Sequence, residues 1–320
     1  MDGPRVNPGR ILTVTPNPSL DLLFAADRLV WDDANRLTDP RRRPGGQGIN
    51  VARAVRALGG DATAVTLLGG RTGDELEAVL TAEGLPLRVV RAAEETRTFV
   101  AVREHASGAS LLLNARGPAR SAADARRLRD AVLDALHDWR PAWLACCGSL
   151  PTGFPPDFYL DLARAARDAG ARVVVDCDGE AMRLAAGACD LLVPNRHEAE
   201  RLTGLAAETV ADAARTARQL TANGTALAAV TMGALGAMLA SERRVWHGAA
   251  PGAGDGSAVG AGDSFLAGLL CALTADTPLP AALARAVAAG AAVLDSTGAA
   301  LLEPDRVRAL ASTVAVTEAE

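Results

Sequence analysis

The stretch "AWLACCGSLPTGFPPDFYLDLARAARDAGARVVVDC", residues 142–177, decides the fold class. It begins and ends with short apolar runs, "AWLACCG" and "RVVVDC", which are typical of buried strands. The segment between them, "PDFYLDLARAARDAG", carries apolar residues at helical spacing. Strand and helix patterns alternate in this way from residue 121 onward. The sequence therefore predicts an α/β fold with a mostly parallel sheet that helices cover on both faces.

The N-terminal part of the chain adds a second pattern. It opens with a strand, "RILTVT" (10–15), and a helix, "GINVARAVRALGG" (48–60), and another strand and helix follow. Three short apolar runs then occur without helices between them: "LRVVR" (87–91), "TFVAVRE" (98–104) and "ASLLLN" (109–114). Successive short strands of this kind predict an antiparallel patch.

The last part of the chain predicts a hairpin and two closing helices. The hairpin strands are "ALGAMLA" (234–240) and "RRVWHG" (243–248), and the helices span about 261–275 and 279–294. In a parallel sheet, ligands bind beyond the carboxyl ends of the strands. Four candidate site residues fall at such ends: Asp176, Asn195, Thr231 and Gly233.

Composition narrows the classes of function. Aromatic residues make up 3% of the 320 residues and the formal net charge is −5, so no nucleic-acid partner is expected. No apolar run reaches the ~18 residues of a membrane span, and the first ten residues lack a signal-peptide core. The five cysteines are odd in number and lie mostly in apolar runs, which predicts buried thiols in a reducing cytoplasm.

A small-residue turn precedes a carboxylate in "SAVGAGDSFLAGLL", residues 257–270. The first turn of a helix presents unpaired N–H groups, so Gly260, Ala261 and Gly262 could hold a phosphate or a developing anion. Asp263 could then act as a general base beside that anion. The alternative is that Asp263 or Ser264 only caps the helix.

Two early motifs suggest contacts to a polar ligand. In "TPNPSLD" (15–21), Asp21 could accept hydrogen bonds from sugar hydroxyls, or it could be a turn residue. In "PGGQGINVARA" (44–54), glycines precede a helix with Asn50 in its first turn. That arrangement suits ligand contact, although a simple glycine-rich loop is an equal alternative.

Two later motifs suggest a nucleotide and a metal ion. In "VPNRHEAE" (193–200), Asn195 and Glu198 share a helix face and could hold Mg²⁺ through waters, or they could form a capping box. In "VTMGALGA" (230–237), a strand ends in two glycines that would allow close approach of a nucleotide. The alternative there is a tight hairpin.

The order and spacing of these motifs resemble the PfkB-type (ribokinase-like) carbohydrate kinases. The glycine signatures "GGQGINVARAVRALGG" and "GAGDSFLAG" are specific in combination, with "VPNRHE" and "TMGALGA" between them. The segments "TPNPSLD" and "CGSLPTGFP" (147–155) are similar to the branch of 1-phosphofructokinase, the minor 6-phosphofructokinase and tagatose-6-phosphate kinase. The resemblance covers residues 10–312, and 1–9 and 313–320 are predicted to be loose ends.

The resemblance implies a three-layer α/β/α kinase domain over residues 10–312, with a β-sheet lid from about 21–44 and 96–117. It implies ATP-dependent phosphorylation of a sugar hydroxyl, with ATP and Mg²⁺ required and a homodimer formed through the lids. The apolar face of the predicted lid strands, at about 21–25, 35–38, 97–104 and 110–114, favours the same dimer.

The resemblance also assigns roles to individual residues. Asp263 would be the catalytic base, and Gly260, Ala261 and Gly262 the anion hole. The sugar would contact Asp21, Gly45, Gly46, Asn50, Arg97 and Ser149. ATP would contact Asn195, Glu198, Thr231, Gly233, Gly236 and Gly262. Glu198 and Asn195 would also order Mg²⁺ through water.

The chain departs from the family pattern where a phosphate on the sugar would be held. Gln47 and Val193 stand where lysines are usual, and the lid strand "SLLLN" carries no basic residue. A phosphosugar would then be held by Arg36, the 41–43 cluster, Arg97 and Arg116. The leading hypothesis is a kinase of fructose 1-phosphate, fructose 6-phosphate or tagatose 6-phosphate. The alternatives are a kinase of a free sugar or nucleoside, and a sugar-binding protein on an inactive kinase scaffold.

Overall fold

A computed structural model describes residues 7–252, 260–294 and 302–319. Its strands in chain order are β1 (Asn7–Thr15), β2 (Ser19–Ala26), β3 (Arg41–Gly45), β4 (Asp61–Gly69), β5 (Leu87–Ala92), β6 (Arg97–Glu104), β7 (Ser110–Asn114), β8 (Pro141–Cys147), β9 (Arg172–Asp176), β10 (Leu191–Leu192), β11 (Leu227–Thr231), β12 (Ala237–Ser241), β13 (Val245–Gly248) and β14 (Val316–Ala319). Its helices are α1 (Gln47–Ala57), α2 (Gly70–Ala82), α3 (Ala122–Trp139), α4 (Phe158–Asp168), α5 (Gly179–Ala185), α6 (Arg196–Thr203), α7 (Val210–Ala222), α8 (Ala261–Thr274), α9 (Leu279–Leu294) and α10 (Pro304–Ala311).

The middle layer is a ten-stranded sheet in the order β14-β13-β12-β11-β10-β9-β8-β1-β4-β5. All neighbours from β5 through β11 are parallel, and β12, β13 and β14 continue the sheet antiparallel. The predicted parallel sheet and the predicted hairpin of β12 and β13 are both confirmed. Because the parallel strands point the same way, their carboxyl ends form one edge, which is where the site lies.

Helices cover both faces of this sheet. Successive residues of a strand point to opposite faces, so Ile11 of β1 packs into one apolar cluster and Leu12 into the other. Buried side chains of α1, α2, α8, α9 and α10 complete the first cluster, and those of α3 to α7 complete the second. The α/β/α layering is therefore a direct result of strands that are apolar on both faces. Among the residues described, no helix is both long and apolar enough to cross a membrane.

A separate four-stranded sheet, here called the lid, has the order β3-β2-β6-β7. Strands β2 and β6 are parallel, whereas β3 and β7 pair antiparallel with their neighbours. The run "LRVVR" does not join this sheet, because it is β5, parallel to β4 in the large sheet. Helix α2 supplies the crossover that a parallel pair needs, so the predicted antiparallel patch is limited to β6 and β7.

The prediction of a lid strand at 35–38 is wrong. The second lid strand in chain order is β3, "RRRPG", at 41–45. The segment before it is a turn, in which the Asn35 side chain accepts a hydrogen bond from Val30 N and donates to Val30 O. Thr38 keeps a single main-chain bond, from its N–H to Ala25 O. The polar side chain of Asn35 thus closes the backbone into a loop that competes with strand pairing.

The chain ends differ from the predicted loose termini. Strand β1 begins at Asn7, and residues 1–6 lie outside the described part of the chain. Residues 316–319 form β14, which pairs with β13 at the edge of the large sheet. Arg244 of the preceding turn pairs with Glu318, and the cross-strand pairing satisfies backbone groups that a loose end would leave to water.

Candidate active site

Parallel neighbours β1, β8 and β9 end together at one edge of the large sheet. Thr15, Cys147 and Asp176 are their last residues, and Gly148 N donates to Asp176 O at 2.8 Å. The predicted nucleotide segments meet at the same edge, where Thr231 N donates to Pro194 O at 3.1 Å. The carboxyl-end arrangement expected from the sequence is therefore present.

Helix α8 begins with the glycine turn and brings Asp263 into the cleft. Gly260 is the N-cap with φ of 85°, and among the described residues no side chain makes a cap hydrogen bond, so neither Asp263 nor Ser264 is the cap. Asp263 is 8% exposed. A Cβ added at Gly260 or Gly262 would meet no described atom within 4 Å, so none of the described residues fills the space beside the first turn. The N–H groups of a first helical turn have no partners within the helix and suit an anion.

The carboxylate of Asp263 is held from across the cleft. Asn50, in the first turns of α1, donates its Nδ2–H to Asp263 Oδ2 at 2.9 Å. Burial raises the pKa of Asp263 to about 6; the Asn50 bond lowers it and the charge of Asp21 raises it. A carboxylate with this pKa is ionised at neutral pH yet is a stronger base than an ordinary aspartate.

Asp21 lies on β2, where the lid joins the cleft. Its Oδ1 accepts the hydroxyl hydrogen of Ser19 at 2.6 Å. A Cβ at Gly45 would lie 2.0 Å from Asp21 Oδ1, so only glycine allows this contact between β3 and β2. Gly46 follows with φ of 110° as the N-cap of α1. Burial raises the pKa of Asp21, and its Ser19 bond and nearby arginines, Arg97 first, lower it.

Asn195 and Glu198 form the capping box that was the alternative interpretation. Asn195 Oδ1 accepts from the N–H groups of His197 and Glu198, and Glu198 Oε2 accepts from Asn195 N at 2.8 Å. Burial raises the pKa of Glu198. A capped helix start still presents a carboxylate to the cleft, so capping does not exclude the metal role.

The two glycines after β11 differ in their surroundings. A Cβ at Gly236 would lie 2.0 Å from Gly248 O, so this glycine is required by packing against β13. Gly233 has φ of 59° and no described atom within 4 Å of an added Cβ. The hairpin interpretation therefore accounts for Gly236, whereas Gly233 lies beside open space that a nucleotide could fill.

Arg97 and Ser149 lie at the mouth of the cleft and share a neighbour, Asn17. Arg97 donates to Asn17 O from both Nε and Nη2, and to Asn114 Oδ1 and Ala115 O from Nη1. Asn17 Nδ2 donates to Ser149 Oγ at 3.2 Å. Asn17 was missed from the sequence, although it lies inside the quoted segment "TPNPSLD".

Gln47 contacts the buried carboxylate at the end of β9. Its Nε2 lies 3.4 Å from Asp176 Oδ1. Burial, followed by the charges of Asp263 and Glu198, holds the pKa of Asp176 well above its ordinary range. Val193, the other departure from the lysine pattern, is buried in the core. Gln47 donates a hydrogen bond to Asp176, but because it is neutral it supplies no positive charge to stabilise the ionised carboxylate.

The negative charges of Asp263 and Glu198 both raise the pKa of Asp176, so this edge of the sheet carries several carboxylates. Within the described ranges, no three His, Cys, Asp or Glu side chains are close enough to ligate a metal directly. Mg²⁺ usually keeps several waters in proteins. The residues therefore fit a hydrated Mg²⁺, whose charge would offset the buried negative charge.

Comparison with known proteins identifies the family. The pfkB family carbohydrate kinase model matches residues 17–306. The chain is 35% identical over 317 residues to the 1-phosphofructokinase of Rhodobacter capsulatus, covering 96% of this chain and 97% of the relative. It is 33% identical over 299 residues to ATP-dependent 6-phosphofructokinase isozyme 2 of Escherichia coli (strain K12), with 92% and 96% covered.

The fold leads to the same family. The crystal structure of phosphofructokinase-2 from Escherichia coli, in complex with substrates and products, matches with a TM-score of 0.89 at 31% identity. The match covers 95% of this chain and 99% of that chain. The ribokinase-like α/β/α architecture with a small separate sheet is therefore confirmed, and the chain belongs to the pfkB family of carbohydrate kinases.

Proposed function

We propose that this protein transfers the terminal phosphoryl group of ATP to a hydroxyl of a ketohexose phosphate. Fructose 1-phosphate and fructose 6-phosphate are the first candidates, followed by tagatose 6-phosphate. The observation that carries the proposal is the buried Asp263 carboxylate, bonded to Asn50 beside the open turn of α8. The names of the relatives support the acceptor class.

Asp263 is the proposed general base. Its Oδ2 is held by Asn50, and its Oδ1 would accept the proton of the sugar hydroxyl as that oxygen attacks. Because its pKa is about 6, the carboxylate is ionised at neutral pH and can still bind a proton usefully.

The N–H groups of Gly260, Ala261 and Gly262 would stabilise the charge of the transferring phosphoryl group. Glu198 and Asn195 would hold Mg²⁺ through waters, and the bound ion would neutralise phosphate charge. Thr231, Gly233 and Gly236 would border the nucleotide. Phosphoryl transfer depends mainly on positioning and charge stabilisation, which these fixed helix starts supply.

The acceptor sugar would lie between the lid and α1. Asp21, whose carboxylate packs against Gly45, would accept hydrogen bonds from sugar hydroxyls, and Gly46 would allow close approach. Asn50 and Ser149 would fix the ring near Asp263, and Arg97 would border its outer end. This placement presents one hydroxyl to the base and keeps the others engaged.

A coupled ADP-release assay over a panel of ketohexose phosphates, free sugars and nucleosides tests the proposal. We expect the highest kcat/KM with a ketohexose phosphate. Preference for a free sugar or nucleoside would favour that alternative. Binding without turnover would favour a sugar-binding protein on an inactive scaffold, for which the departures at Gln47 and Val193 are the support.

We further propose a homodimer formed through the lids. Large apolar side chains are exposed on this sheet and its loop: Trp31 is 82% exposed, and Leu112 and Leu113 are each 52% exposed. Leu112 and Leu113 point to opposite faces of β7, so this lid strand exposes apolar surface on both sides, and exposed apolar surface suits a contact between copies. Light scattering at micromolar concentration should give a dimer mass, and Leu112→Asp should shift it toward monomer. A wild-type monomer mass would remove the proposal.

We also propose that the predicted kinase domain, residues 10–312 extended by the rest of β1 and by the edge strand β14, acts as one unit in the cytoplasm. ATP and hexose phosphates are metabolites of that compartment, and the five cysteines are free thiols, which suits a reducing environment. Cell fractionation with an antibody against the chain tests the location.

A further inference from the structure

The arginines near the acceptor side of the cleft differ in whether their guanidinium groups are already engaged. Arg42 forms a two-bond pair with Glu75, at 2.5 and 2.7 Å. Arg53 of α1 forms a similar pair with Glu83, at 2.7 and 2.8 Å. Neither guanidinium can turn toward a ligand without breaking its pair.

Arg97, Arg36 and Arg116 are also poorly suited to be the main phosphate contact. Arg97 donates four hydrogen bonds to Asn17, Asn114 and Ala115, which leaves one of the five N–H groups of a guanidinium. Arg36 and Arg116 are exposed to solvent. Of the arginines predicted from the sequence to hold a phosphate, those of the 41–43 cluster other than Arg42 therefore remain as candidates.

Arg43 differs from all of these. It lies directly opposite Asp21 in the antiparallel pair of β2 and β3, so the two side chains share one face of the lid. Its Nη1 is buried and has no hydrogen-bond partner within the described residues. Two residues further along the same face, Gly45 packs against the Asp21 carboxylate. The unpartnered nitrogen therefore belongs to the part of the lid that would meet the acceptor.

The charges around Arg43 favour an anion. Burial, followed by the charges of Arg41 and Arg53, lowers the pKa of Arg43, and Glu83 and Asp21 oppose this only in part. A buried guanidinium nitrogen without a partner is unfavourable, and a ligand oxygen can remove that penalty. Phosphate oxygens match the planar fork of arginine, which can bind them with two parallel N–H bonds.

We propose that Arg43 binds the phosphate group that the acceptor sugar already carries, with Nη1 as a donor, and that it selects phosphorylated over free sugars. The inference rests on the proposed function and names the residue that sets its substrate class. Arg43 is on the sugar side, opposite Asp21, whereas the residues assigned to ATP follow β10 and β11.

Steady-state kinetics and unfolding of Arg43→Met test this. Methionine fills the space of the arginine stem without the charge. With the preferred phosphosugar, KM should rise at least ~10-fold, which a lost charged hydrogen bond can produce. KM for ATP and for the free sugar should stay within ~2-fold, and Tm should be unchanged or higher because an unpaired buried charge is removed. Arg91→Met is the matched control, because Arg91 pairs with Asp74 and Glu77 outside the cleft.

The outcomes separate the inference from the proposed function. A wild-type enzyme without turnover on any sugar overturns both, and one that prefers a free sugar overturns the role of Arg43. An active wild type with unchanged phosphosugar KM in Arg43→Met overturns the inference alone. Equal KM increases for phosphosugar and free sugar, together with a lower Tm, would make Arg43 a structural residue. Arg43→Lys should recover part of the phosphosugar affinity, since it restores the charge without the fork.

Discussion

The floor of the cleft and its lid are organised by different contacts. On the floor, strand ends and helix starts hold polar groups against one another, as in the bonds from Asn50 to Asp263 and from Gln47 to Asp176. In the lid, the Arg42 and Arg97 guanidinium groups are bonded to protein groups, whereas Arg43 Nη1 has no hydrogen-bond partner among the described residues. We therefore expect the floor to determine the chemistry and the lid, whose strand "SLLLN" carries no basic residue, to determine the choice of acceptor.

Asp263→Asn should produce the largest effect and is the strongest test of the floor. We expect kcat to fall at least ~10²–10⁴-fold, which is the usual contribution of a positioned general base. ATP affinity should be nearly unchanged, because five of the six residues assigned to ATP lie in other elements, and Gly262 would contribute its backbone N–H, which the substitution keeps. The measurements are steady-state kcat and calorimetric ATP binding. A variant with near wild-type kcat, chemistry being rate-limiting, would leave Asp263 without a catalytic role.

The pKa of Asp263 predicts opposite effects of pH on activity and stability. Below pH of about 6 the base is protonated, so kcat/KM should fall about tenfold per pH unit. The folded-state pKa lies above the ordinary 3.8, so the folded state binds the proton more tightly and stability decreases as pH rises through about 6. The difference between the ordinary and the folded-state pKa corresponds to at most about 3 kcal/mol of unfolding free energy.

A pH–rate profile across pH of about 6 checks the activity, and unfolding measured from the ordinary pKa of 3.8 up to and beyond about 6 checks the stability. Asp263→Asn should reduce the pH dependence of stability. If the rate profile showed no decrease below pH of about 6, the general base would be a different group.

Arg97→Ala distinguishes the role of Arg97, at the mouth of the cleft, from the proposed role of Arg43 in binding the phosphate. The loss of bonds to Asn17, Asn114 and Ala115 should lower the free energy of unfolding by about 1–3 kcal/mol. KM for the phosphosugar should rise less than in Arg43→Met, roughly 3-fold, because the Arg97 guanidinium is engaged by protein groups, and KM for ATP should barely change. Arg97→Lys should restore only part of the unfolding free energy and part of the affinity for the phosphosugar. Kinetics and urea unfolding measure the two effects, and an unchanged sugar KM would limit Arg97 to a structural role.

Gln47→Lys should have the smallest effect. An ammonium group beside Asp176 would compensate the buried carboxylate that the neutral amide leaves uncompensated. The pKa of Asp176 is raised, so its ionisation costs stability as pH increases; the lysine should recover about 1–2 kcal/mol of unfolding free energy in alkaline buffer. Gln47→Met is the matched control and should be destabilising. Equal stability of the two variants would contradict the charge argument.

Local patterns determined much of this protein. The alternation of apolar runs with helical spacing predicted the layers and the parallel sheet, because periodicity is a property of neighbouring residues. The glycine turn before Asp263 is a local feature, since its residues are close in sequence. The same holds for the capping box of Asn195 and Glu198. Such features are set by backbone geometry and were readable without the fold.

The tertiary structure decided the contacts between distant segments. Asn50 and Asp263 are 213 positions apart, and Gln47 and Asp176 are 129 apart, so only the packing of α1 against α8 and against the end of β9 brings each pair together. The second lid strand lies at 41–45 and not at the predicted 35–38, and this position places Arg43 opposite Asp21. Strand register depends on cross-strand pairing and on which face is buried, and neither is contained in the local pattern of either strand.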